Sequence, residues 1–335
     1  MHKILLDLEG GDEVKGVSML ERAVQGAVTA IINTGGTFIG LGNKAKVQEI
    51  LEEKIDRNPC VSFDHSKLIL TDISVDPEPA EDYTQRRTQA VATTASGLLK
   101  AGEAEGFYTC GNTQYILPAL IMNRVRKFKG IKKPYLIAQM PARMGTGKKY
   151  LLCDVGATDT HDLRTYEHIV AITKVYARLL FNEENPRVGI LSNGVEDTKG
   201  DSIMREARKI LGVEFVEPHH LYAGEFHGAV VPGVQGNIAL KVAEETLTSA
   251  VNDLCEIHLP KCTPEEKKKF MASLGALNKW WSPDEQGVAF FGGFVPVIGK
   301  GHGSSSIEKY ANGASNIYKL VEVDASEEIG RLLEE

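Results

Sequence analysis

The chain has 335 residues, of which 42% are hydrophobic and 25% are charged, and its formal net charge is −7. This composition predicts a globular protein, built as a single two-lobed domain over residues 1–335. The acidic balance argues against general nucleic-acid binding. Five cysteines without a CxxC pair favour reduced thiols in the cytoplasm. No apolar run approaches the roughly 20 residues that span a bilayer.

Short apolar segments that suit strands alternate with longer segments of helical period along most of the chain. Strands are predicted at residues 4–8, 38–41, 106–110, 150–155, 188–191 and 229–231. Helical patterns run over 14–32, through 47–51, over 81–100, from 113, over 162–180, after 201 and from 237. This order predicts an α/β fold with a mostly parallel, doubly wound sheet and helices on both faces. Ligands bind such sheets beyond the carboxyl ends of the strands.

Residues 255–285 depart from this alternation and are predicted to form a protruding helical segment. Thr263 and Glu266 have the spacing of a capping box, with Pro264 at the first helical position. The pattern suits contact with a membrane surface, although a helix that packs against a second copy of the chain is the commoner explanation. The residues that suggest both interpretations are Lys267, Lys268, Lys269, Phe270, Trp280 and Trp281.

Glycine-containing turns follow several of the predicted strands. Such turns expose backbone N–H groups beside helix N-termini, which predicts an anion site, although ordinary turns explain any single case. In one turn, Asn112 and Thr113 suit either helix capping or ligand contact. In another, His302 stands between two glycines before three serines. We interpret this turn as an oxyanion or phosphate cradle rather than a serine cap beside a surface histidine.

Seven segments in the same order give the chain a more specific resemblance. They are residue 7 with 10–12, then 110–113, 151–157, 185–189, 196–200, 236–237 with 240–241, and 302–305. Together they resemble the PlsX family of phosphate acyltransferases along nearly the whole length. Each segment alone is a weak signal, and the collinear series is specific.

The resemblance implies a fold like that of isocitrate-type dehydrogenases and phosphotransacetylases. It implies transfer of an acyl group from a thioester of acyl carrier protein or coenzyme A to inorganic phosphate, giving acyl phosphate for phospholipid synthesis. A homodimer in the cytoplasm is expected, with peripheral membrane contact as an alternative. Neither a cofactor, a metal nor a nucleic-acid partner is expected.

This reaction requires a protein that binds a dianion beside a thioester and stabilises an oxyanion, because phosphate brings its own nucleophilic oxygen. Lys199, Asn112 and His302 are therefore predicted to be catalytic. Asp154 is predicted to orient neighbouring turns, or to be purely structural. The predicted phosphate and substrate ligands, some of them acting through backbone N–H groups, are Gly10, Gly11, Asp12, Gly111, Thr113, Asp154, Asn237, Gly303, Ser304 and Ser305.

The chain departs from the family pattern in four places. Pro232 stands where the family has an aspartate before Gly233, so a catalytic acid is missing. Leu8 and Glu9 replace the middle of the opening motif, and residues 292–299 match only loosely. Cys110 takes a position that is usually small. A PlsX-like paralogue that releases acetyl phosphate from an enzyme thioester, as in the glycine-reductase system, and a non-catalytic ligand-binding homologue are therefore alternatives.

Cys110 ends a strand and faces a helix N-terminus, an environment that lowers the pKa of a thiol and makes it reactive. It is thus a candidate nucleophile that would carry the acyl group. The alternative is that Cys110 is a small buried hydrophobic residue.

Three further sequence patterns bear on possible ligands: a basic run, a histidine-rich segment and a glycine-containing segment. A basic run suits docking of acyl carrier protein or coenzyme A, or is a solvated helix end; it comprises Arg124, Arg126, Lys127, Lys129, Lys132 and Lys133. The histidines and acids of residues 217–227 match no zinc spacing. Residues 35–40 are not a GxGxxG motif and precede a strand, which disfavours a nicotinamide dehydrogenase.

Overall fold

The computed structural model describes residues 2–14, 16–76, 78–281 and 288–334. The chain divides into two compact units. The first comprises Met1–Ile131 and Gly287–Glu335, and the second comprises Lys132–Gln286. The second unit is therefore an insertion in the first. That the whole chain acts as one two-lobed domain stays a prediction.

The first unit contains six strands in the spatial order β3-β2-β1-β4-β11-β10, of which only β10 is antiparallel to its neighbour within the unit. Every residue of β2 is buried, as in a strand covered on both faces. The strands are β1 (Lys3–Asp7), β2 (Thr37–Gly42), β3 (Leu68–Asp72), β4 (Gly106–Thr109), β10 (Ala289–Gly292) and β11 (Val297–Lys300).

Several helices of the first unit begin at polar caps, and two of them end at left-handed glycines. Ser18, Asn43, Asn112 and Ser306 each accept a hydrogen bond from a first-turn N–H. The helices are α1 (Met19–Thr34), α2 (Lys44–Ile50), α3 (Tyr83–Ala101), α4 (Thr113–Met122), α10 (Ile307–Glu322) and α11 (Ala325–Glu334). Helix α1 packs along α10, and Gly102 closes α3 in the left-handed conformation.

The second unit contains five strands in the order β5-β6-β9-β7-β8, with β5 antiparallel and the rest parallel. The strands are β5 (Tyr135–Pro141), β6 (Lys149–Cys153), β7 (Val188–Leu191), β8 (Phe215–Val216) and β9 (Gly228–Val230). The helices are α5 (Leu163–Phe181), α6 (Ser202–Leu211), α7 (Pro218–Tyr222), α8 (Gly233–His258) and α9 (Pro264–Trp281). No described helix is long and apolar enough to cross a membrane.

The predicted α/β fold with a mostly parallel sheet is confirmed, and the structure corrects several boundaries. Helix α1 begins at residue 19 rather than 14 because Ser18 caps it. Helix α8 begins at residue 233 rather than 237, directly after Pro232. Strands β3, β5, β8, β10 and β11 were not predicted. β8 has only two residues and β5 ends in Pro141, so their local pattern is weak.

The segment predicted at 255–285 comprises the end of α8, a short turn and α9. The capping box is confirmed: the Thr263 N–H and hydroxyl donate to Glu266 Oε2, both at 2.8 Å. Leu274 is buried, whereas Leu254, Ile257 and Met271 are about half exposed. Residues 282–285 of this segment lie outside the described part of the chain.

Candidate active site

Three turns of the first unit lie at one edge of its sheet. They follow β1, β4 and β11, which are parallel neighbours: Leu6 pairs with Tyr108, and Tyr108 pairs with Gly299. Because the carboxyl ends of parallel strands meet at one edge, the turns at 8–12, 110–113 and 301–306 converge. Helices α4 and α10 begin directly after two of these turns, so their positive dipole ends lie at the same edge.

Asp7 is fully buried and organises the first turn. Its Oδ1 accepts the N–H groups of Glu9 at 2.9 Å and Gly10 at 2.7 Å, and its Oδ2 accepts the Thr109 hydroxyl at 2.6 Å. The Tyr310 hydroxyl donates to the Asp7 carbonyl at 2.7 Å. Burial raises the pKa of Asp7 in spite of these bonds. The carboxylate of Asp7 thereby links β1 to β4, and its backbone carbonyl links β1 to α10.

The raised pKa of Asp7 predicts a pH effect on stability. A carboxyl with a raised folded-state pKa gives its full stabilisation below the ordinary value of 3.8 and loses it as the pH rises through the folded value. We therefore expect Asp7→Asn, which cannot ionise, to become more stable relative to the native chain between about pH 4 and about pH 7. Urea unfolding at both pH values measures this difference.

Asp64→Asn is the control for this titration. Asp64 is exposed, and hydrogen bonds from Ser66 lower its pKa. Its contribution to folding stability is therefore present above the ordinary pKa and is lost as the pH falls. This pH dependence is opposite in sign to that of Asp7. The raised pKa of Asp7 would be contradicted if the free energy of unfolding of the native chain minus that of Asp7→Asn stays constant or grows as the pH rises.

Five of the predicted phosphate donors are already used within the protein, which corrects the prediction. The Asp12 N–H donates to the Gly303 carbonyl, the Ser304 N–H to His302 Nδ1 and the Ser305 N–H to the His302 carbonyl. The Gly10 N–H donates to Asp7, and the Gly111 N–H donates to Thr109 Oγ1 at 2.8 Å. By contrast, the N–H groups of Gly11 and Gly303 have no acceptor among the described residues. These two N–H groups are the donors available to an anion. Gly10 and Gly111 shape the turn instead.

Arg22 joins the first turn to the third. It is buried, its Nη1 donates to the Ser305 carbonyl and its Nη2 donates to the Asp12 carbonyl. No carboxylate of the described chain forms an ion pair with it. A buried guanidinium without an acidic partner raises the local potential and favours an anion nearby. Asp12 and Gly303 are also tied directly, because the Asp12 N–H donates to the Gly303 carbonyl at 2.9 Å.

His302 is held in one tautomer by its neighbour. Its Nδ1 lies 2.7 Å from Ser304 Oγ and 3.3 Å from the Ser304 N–H, which donates to it. An Nδ1 that accepts the Ser304 N–H leaves the ring proton on Nε2. Ser305 fixes the turn from the other side by donating its hydroxyl to the His302 carbonyl at 2.7 Å. The exposed ring therefore presents an N–H donor.

Asn112 is the N-cap of α4. Its side-chain oxygen accepts the Gln114 N–H at 3.0 Å, so the capping interpretation is confirmed. The side chain is exposed, and its amide NH₂ is the group left to meet a ligand. Thr113 opens the helix, where first-turn N–H groups have no intrahelical acceptor.

Cys110 does not have the predicted reactive environment. Its thiol is 2% exposed, and burial raises its pKa to about 11. Its Sγ lies 3.7 Å from the Tyr108 hydroxyl. The predicted lowering of its pKa is therefore wrong. The thiol is protonated near neutral pH, as in a small buried hydrophobic residue.

In the second unit, Asp154 plays the part that Asp7 plays in the first. Its Oδ1 accepts the N–H groups of Leu136 at 2.9 Å and Ala157 at 3.1 Å, and its Oδ2 accepts the Thr158 hydroxyl at 2.7 Å. Burial raises the pKa of this carboxyl too. A Cβ on Gly236 would lie 1.9 Å from the Asp154 carbonyl oxygen, so α8 packs directly on this turn.

Asn237 lies beside the Asp154 turn, whereas Lys199 lies on another loop of the second unit. The side chain of Asn237 is the nearest neighbour of Gly156. Lys199 Nζ is 4.0 Å from Glu196 Oε2, and its methylene groups pack on Gly194. The structure thus brings Asp154 and Asn237 together, and no described contact joins Lys199 to either of them.

His161 extends the Asp154 network. Its Nε2 lies 3.0 Å from Thr158 Oγ1, and its Nδ1 is buried without a hydrogen-bond partner among the described residues. Burial lowers the pKa of His161 to about 4, so the ring is neutral near pH 7.

The histidine-rich turn carries no metal assignment. Ligand atoms of Glu217, His219 and His220 lie within 4.8 Å of one another. However, the Glu217 N–H donates to His220 Nδ1 at 3.4 Å, and His219 is exposed. These contacts are those of a capped, five-residue helix.

Several residues that build these turns were not singled out from the sequence as site residues. Asp7 was visible only as an acid that ends an apolar strand and as part of the family resemblance. Arg22 had a detectable signal, a cation within an otherwise apolar helical face. Thr109 and Thr158 had none, because their partners are defined only by tertiary contacts.

The chain resembles known proteins over nearly its whole length. Residues 2–327 match a family described as fatty acid synthesis protein. The chain is 27% identical over 344 residues to a phosphate acyltransferase of Brachyspira hyodysenteriae, covering 96% of each chain. It is 26% identical over 352 residues to a phosphate acyltransferase of Bradyrhizobium diazoefficiens, covering 99% of this chain and 94% of that one.

Two solved structures share the fold. A phosphotransacetylase from Streptococcus pyogenes has a TM-score of 0.56 at 15% identity, covering 98% of this chain and 94% of that one. A branched-chain phosphotransacylase from Enterococcus faecalis V583 has a TM-score of 0.53 at 14% identity, covering 96% and 99%. At these identities the likeness concerns the fold alone, and it agrees with the predicted phosphotransacetylase-like architecture.

Proposed function

The chain belongs to the fatty acid synthesis protein family, and from this membership and the site geometry we propose that it transfers an acyl group from a thioester to inorganic phosphate. The relatives named phosphate acyltransferase agree with the PlsX-type resemblance seen in the sequence. One observation carries the proposal. The N–H groups of Gly11 and Gly303 lie in turns that the buried Arg22 joins, which is an environment suited to a dianion.

The reaction needs no protein nucleophile. An oxygen of hydrogen phosphate attacks the thioester carbonyl carbon, a C–O bond forms, and the carbonyl oxygen becomes an oxyanion. The tetrahedral intermediate then breaks its C–S bond. The leaving thiolate takes the proton that phosphate gives up, so the products are an acyl phosphate and a free thiol.

We assign roles to residues of each unit separately. In the first unit, the proposed phosphate ligands are Gly11, Thr113 and Gly303. The predicted ligands Asp12, Ser304 and Ser305 donate their N–H groups within the protein, so they shape the turns together with Gly10 and Gly111. Asn112 and the Nε2–H of His302 donate to the oxyanion. In the second unit, Lys199 supplies a cation, Asp154 orients its turn and Asn237 contacts substrate. The predicted catalytic set of Lys199, Asn112 and His302 is thus retained as a proposal.

The alternatives have less support. A covalent acyl-cysteine on Cys110 would need a thiolate, and burial raises the pKa of that thiol to about 11. This argues against the paralogue that releases acetyl phosphate from an enzyme thioester. The non-catalytic alternative has one supporting feature: buried Pro232 stands where the family has an acid.

Arg22 is the residue whose loss should weaken phosphate binding most specifically. We expect Arg22→Ala to raise the KM for phosphate at least about tenfold, because it removes a buried positive charge. We also expect it to lower the free energy of unfolding by about 3 kcal/mol, because two carbonyls lose a charged donor. Steady-state kinetics over a phosphate series and urea unfolding measure both effects.

Arg86→Ala is the matched control for Arg22→Ala. Arg86 also donates to two backbone carbonyls, of Asp76 and Pro79, but it is only partly buried, pairs with Asp82 and lies on α3. Its loss should leave the KM for phosphate unchanged. An unchanged KM in folded Arg22→Ala would remove Arg22 from the phosphate site.

The thiol carrier and cellular role are also proposals. The exposed cations Arg124, Arg126 and Lys129 suit an acidic acyl carrier protein or the phosphates of coenzyme A. A role in phospholipid synthesis follows from an acyl phosphate product. We also propose a cytoplasmic location. The lysines and aromatic residues of α9 would suit peripheral membrane contact, and no nucleic-acid partner is proposed.

A homodimer is proposed from an exposed apolar stripe. Val234, Ile238 and Val242 recur every fourth residue on α8, and each is at least half exposed. A stripe of this spacing lies along one helix face and suits packing against a second copy. Sedimentation of the native chain tests this directly.

The reaction itself is tested by thiol release from acetyl-, butyryl- and palmitoyl-thioesters of coenzyme A and of acyl carrier protein. Release should require phosphate and should yield acyl phosphate in equal amount. Absence of release from every thioester, by protein shown to be folded by circular dichroism, would refute the enzyme and favour the ligand-binding homologue.

A further inference from the structure

Glu9 is a buried acid of the first turn, and both oxygens of its carboxylate meet groups from other parts of the chain. Oε1 accepts the N–H of Asn43 at 2.8 Å, and Oε2 lies 3.1 Å from Nη1 of Arg87. Glu9 is also one of the two residues that replace the middle of the family's opening motif. A negative charge is thus buried in the turn that offers the Gly11 N–H to an anion.

Arg87 lies on α3 and compensates this charge. Within the described chain, Glu9 is the one acid that pairs with Arg87. The guanidinium carbon lies 5.4 Å from the centroid of the Tyr83 ring, and Nε is buried without a hydrogen-bond partner among the described residues. A buried carboxylate is costly unless a cation pairs with it. Glu9 therefore depends on Arg87 for its neutralisation, because water has little access to it.

The N-terminal half of α3 reaches two of the three turns at this edge of the sheet. Arg87 pairs with the first turn, at Glu9. The next residue, Thr88, packs against the second turn, because a Cβ on Gly111 would lie 3.0 Å from its methyl group. The Thr88 side chain is buried, and its hydroxyl donates to the Thr84 carbonyl at 2.9 Å. The charge of Arg87 is thus fixed beside the turns by packing that does not involve the anion.

Glu9 is close enough to the Gly11 N–H for its charge to matter. The two residues are two positions apart, so their Cα atoms are at most about 7 Å apart. In a partly buried site, a carboxylate at such a distance repels a dianion strongly enough to weaken its binding at least about tenfold. Pairing with Arg87 cancels most of this repulsion. Arg22, by contrast, has no acidic partner among the described residues and contributes its positive charge directly.

We propose that Arg87 is a positioning residue for the anion site, which acts through Glu9 and sets the affinity of the first turn for phosphate; that this anion is a substrate rests on the proposed function. Arg87 does not need to touch the anion. It holds the Glu9 carboxylate against α3 and cancels its charge. The two arginines therefore differ in their effects: loss of Arg22 removes a positive charge, whereas loss of Arg87 uncovers a negative one.

Charge variants of the pair test this inference through the Kd for inorganic phosphate, measured by phosphorus NMR titration, and the KM for phosphate. We expect Arg87→Gln to raise both at least about tenfold and to leave kcat at saturating phosphate nearly unchanged. Glu9→Gln keeps an oxygen that can accept the Asn43 N–H but removes the charge, so we expect no increase in the Kd. The double variant should return the Kd to within about threefold of the native value.

This pattern differs from that of a purely structural ion pair. If the pair only held the first turn in shape, each single variant would loosen the turn and raise the Kd, and the double variant would not recover. Arg86→Gln is the matched control, because Arg86 is the neighbouring residue on α3, pairs with Asp82 at 2.7 Å and has a side chain 27% exposed against 22% for Arg87. Its Kd for phosphate should equal that of the native chain.

The double variant also carries the test if Arg87→Gln alone fails to fold, because it leaves no unpaired buried carboxylate. A Kd raised tenfold or more in the folded double variant overturns the inference, as does a Kd raised in Glu9→Gln or unchanged in folded Arg87→Gln. Absence of phosphate binding by the folded native chain overturns it too. Phosphate binding that follows the expected pattern, without thiol release from any thioester, would refute the proposed function and leave the role of Arg87 standing.

Discussion

His302→Ala is expected to lower kcat for phosphate-dependent thiol release by about 10²- to 10³-fold, the usual effect of losing one oxyanion donor. The Ser304 N–H donates to Nδ1, so the proton lies on Nε2 and the ring donates to developing negative charge. Because that charge exists only in the transition state, the KM for phosphate should change little.

Two further variants make the test of His302 specific. Ser304→Ala removes the hydroxyl beside Nδ1, so we expect an intermediate loss of kcat. His65→Ala is the control. His65 is an exposed histidine of the same unit, it contacts Asp56, and it is distant in sequence from His302. If kcat for phosphate-dependent thiol release falls less than tenfold in His302→Ala, His302 does not take part in the reaction.

Gly10→Ala is expected to lower activity about 10²-fold or more. A Cβ at this position would lie 2.2 Å from Asp7 Oδ2 and 2.7 Å from the Gly111 backbone nitrogen. The backbone atoms cannot give way as a flexible side chain would, so the first turn must shift relative to the second. A displacement of about 1 Å in a binding loop costs about 10²-fold in rate.

The same substitution at an open position provides the control for Gly10. Gly97 lies within α3, and a Cβ there would meet nothing within 4 Å. Gly97→Ala should therefore raise the free energy of unfolding by about 0.5–1 kcal/mol and leave activity unchanged. Gly10→Ala should lower the free energy of unfolding by about 1–3 kcal/mol. Full activity in Gly10→Ala would show that the first turn does not bind the reacting groups.

The comparison of Cys110 with Asp7 shows which kinds of chemical prediction fail. From the sequence, Cys110 had the position of an activated thiol, at a strand end before a helix. Burial decides its pKa instead, and Gly301, from a distant part of the chain, lies close to its Sγ. For Asp7 the sequence indicated only an acid at the end of a strand. In the structure its carboxyl accepts three hydrogen bonds and organises the first turn.

The glycine turns after β1, β4 and β11 lie at one edge of the sheet, and the structure corrects which of their N–H groups are available. The sequence indicated that N–H groups would be exposed at Gly10 and Gly111, yet both are consumed by side chains of Asp7 and Thr109. Which N–H groups remain available depends on side-chain partners. The partners of these two N–H groups lie only three and two residues away, and the Asp7–Thr109 bond, which joins residues 102 positions apart, holds both partner side chains in place.

The order of strands, turns and helices, the caps of α4 and α9 and the family resemblance were determined by the sequence itself. Each depends on residues within a few positions of one another, where period and turn chemistry act. Only the tertiary structure decided the Asp7–Thr109 bond, the placement of Arg22 between two turns and the pairing of Glu9 with Arg87. These features join segments far apart in the chain, so their geometry depends on packing and not on any local pattern.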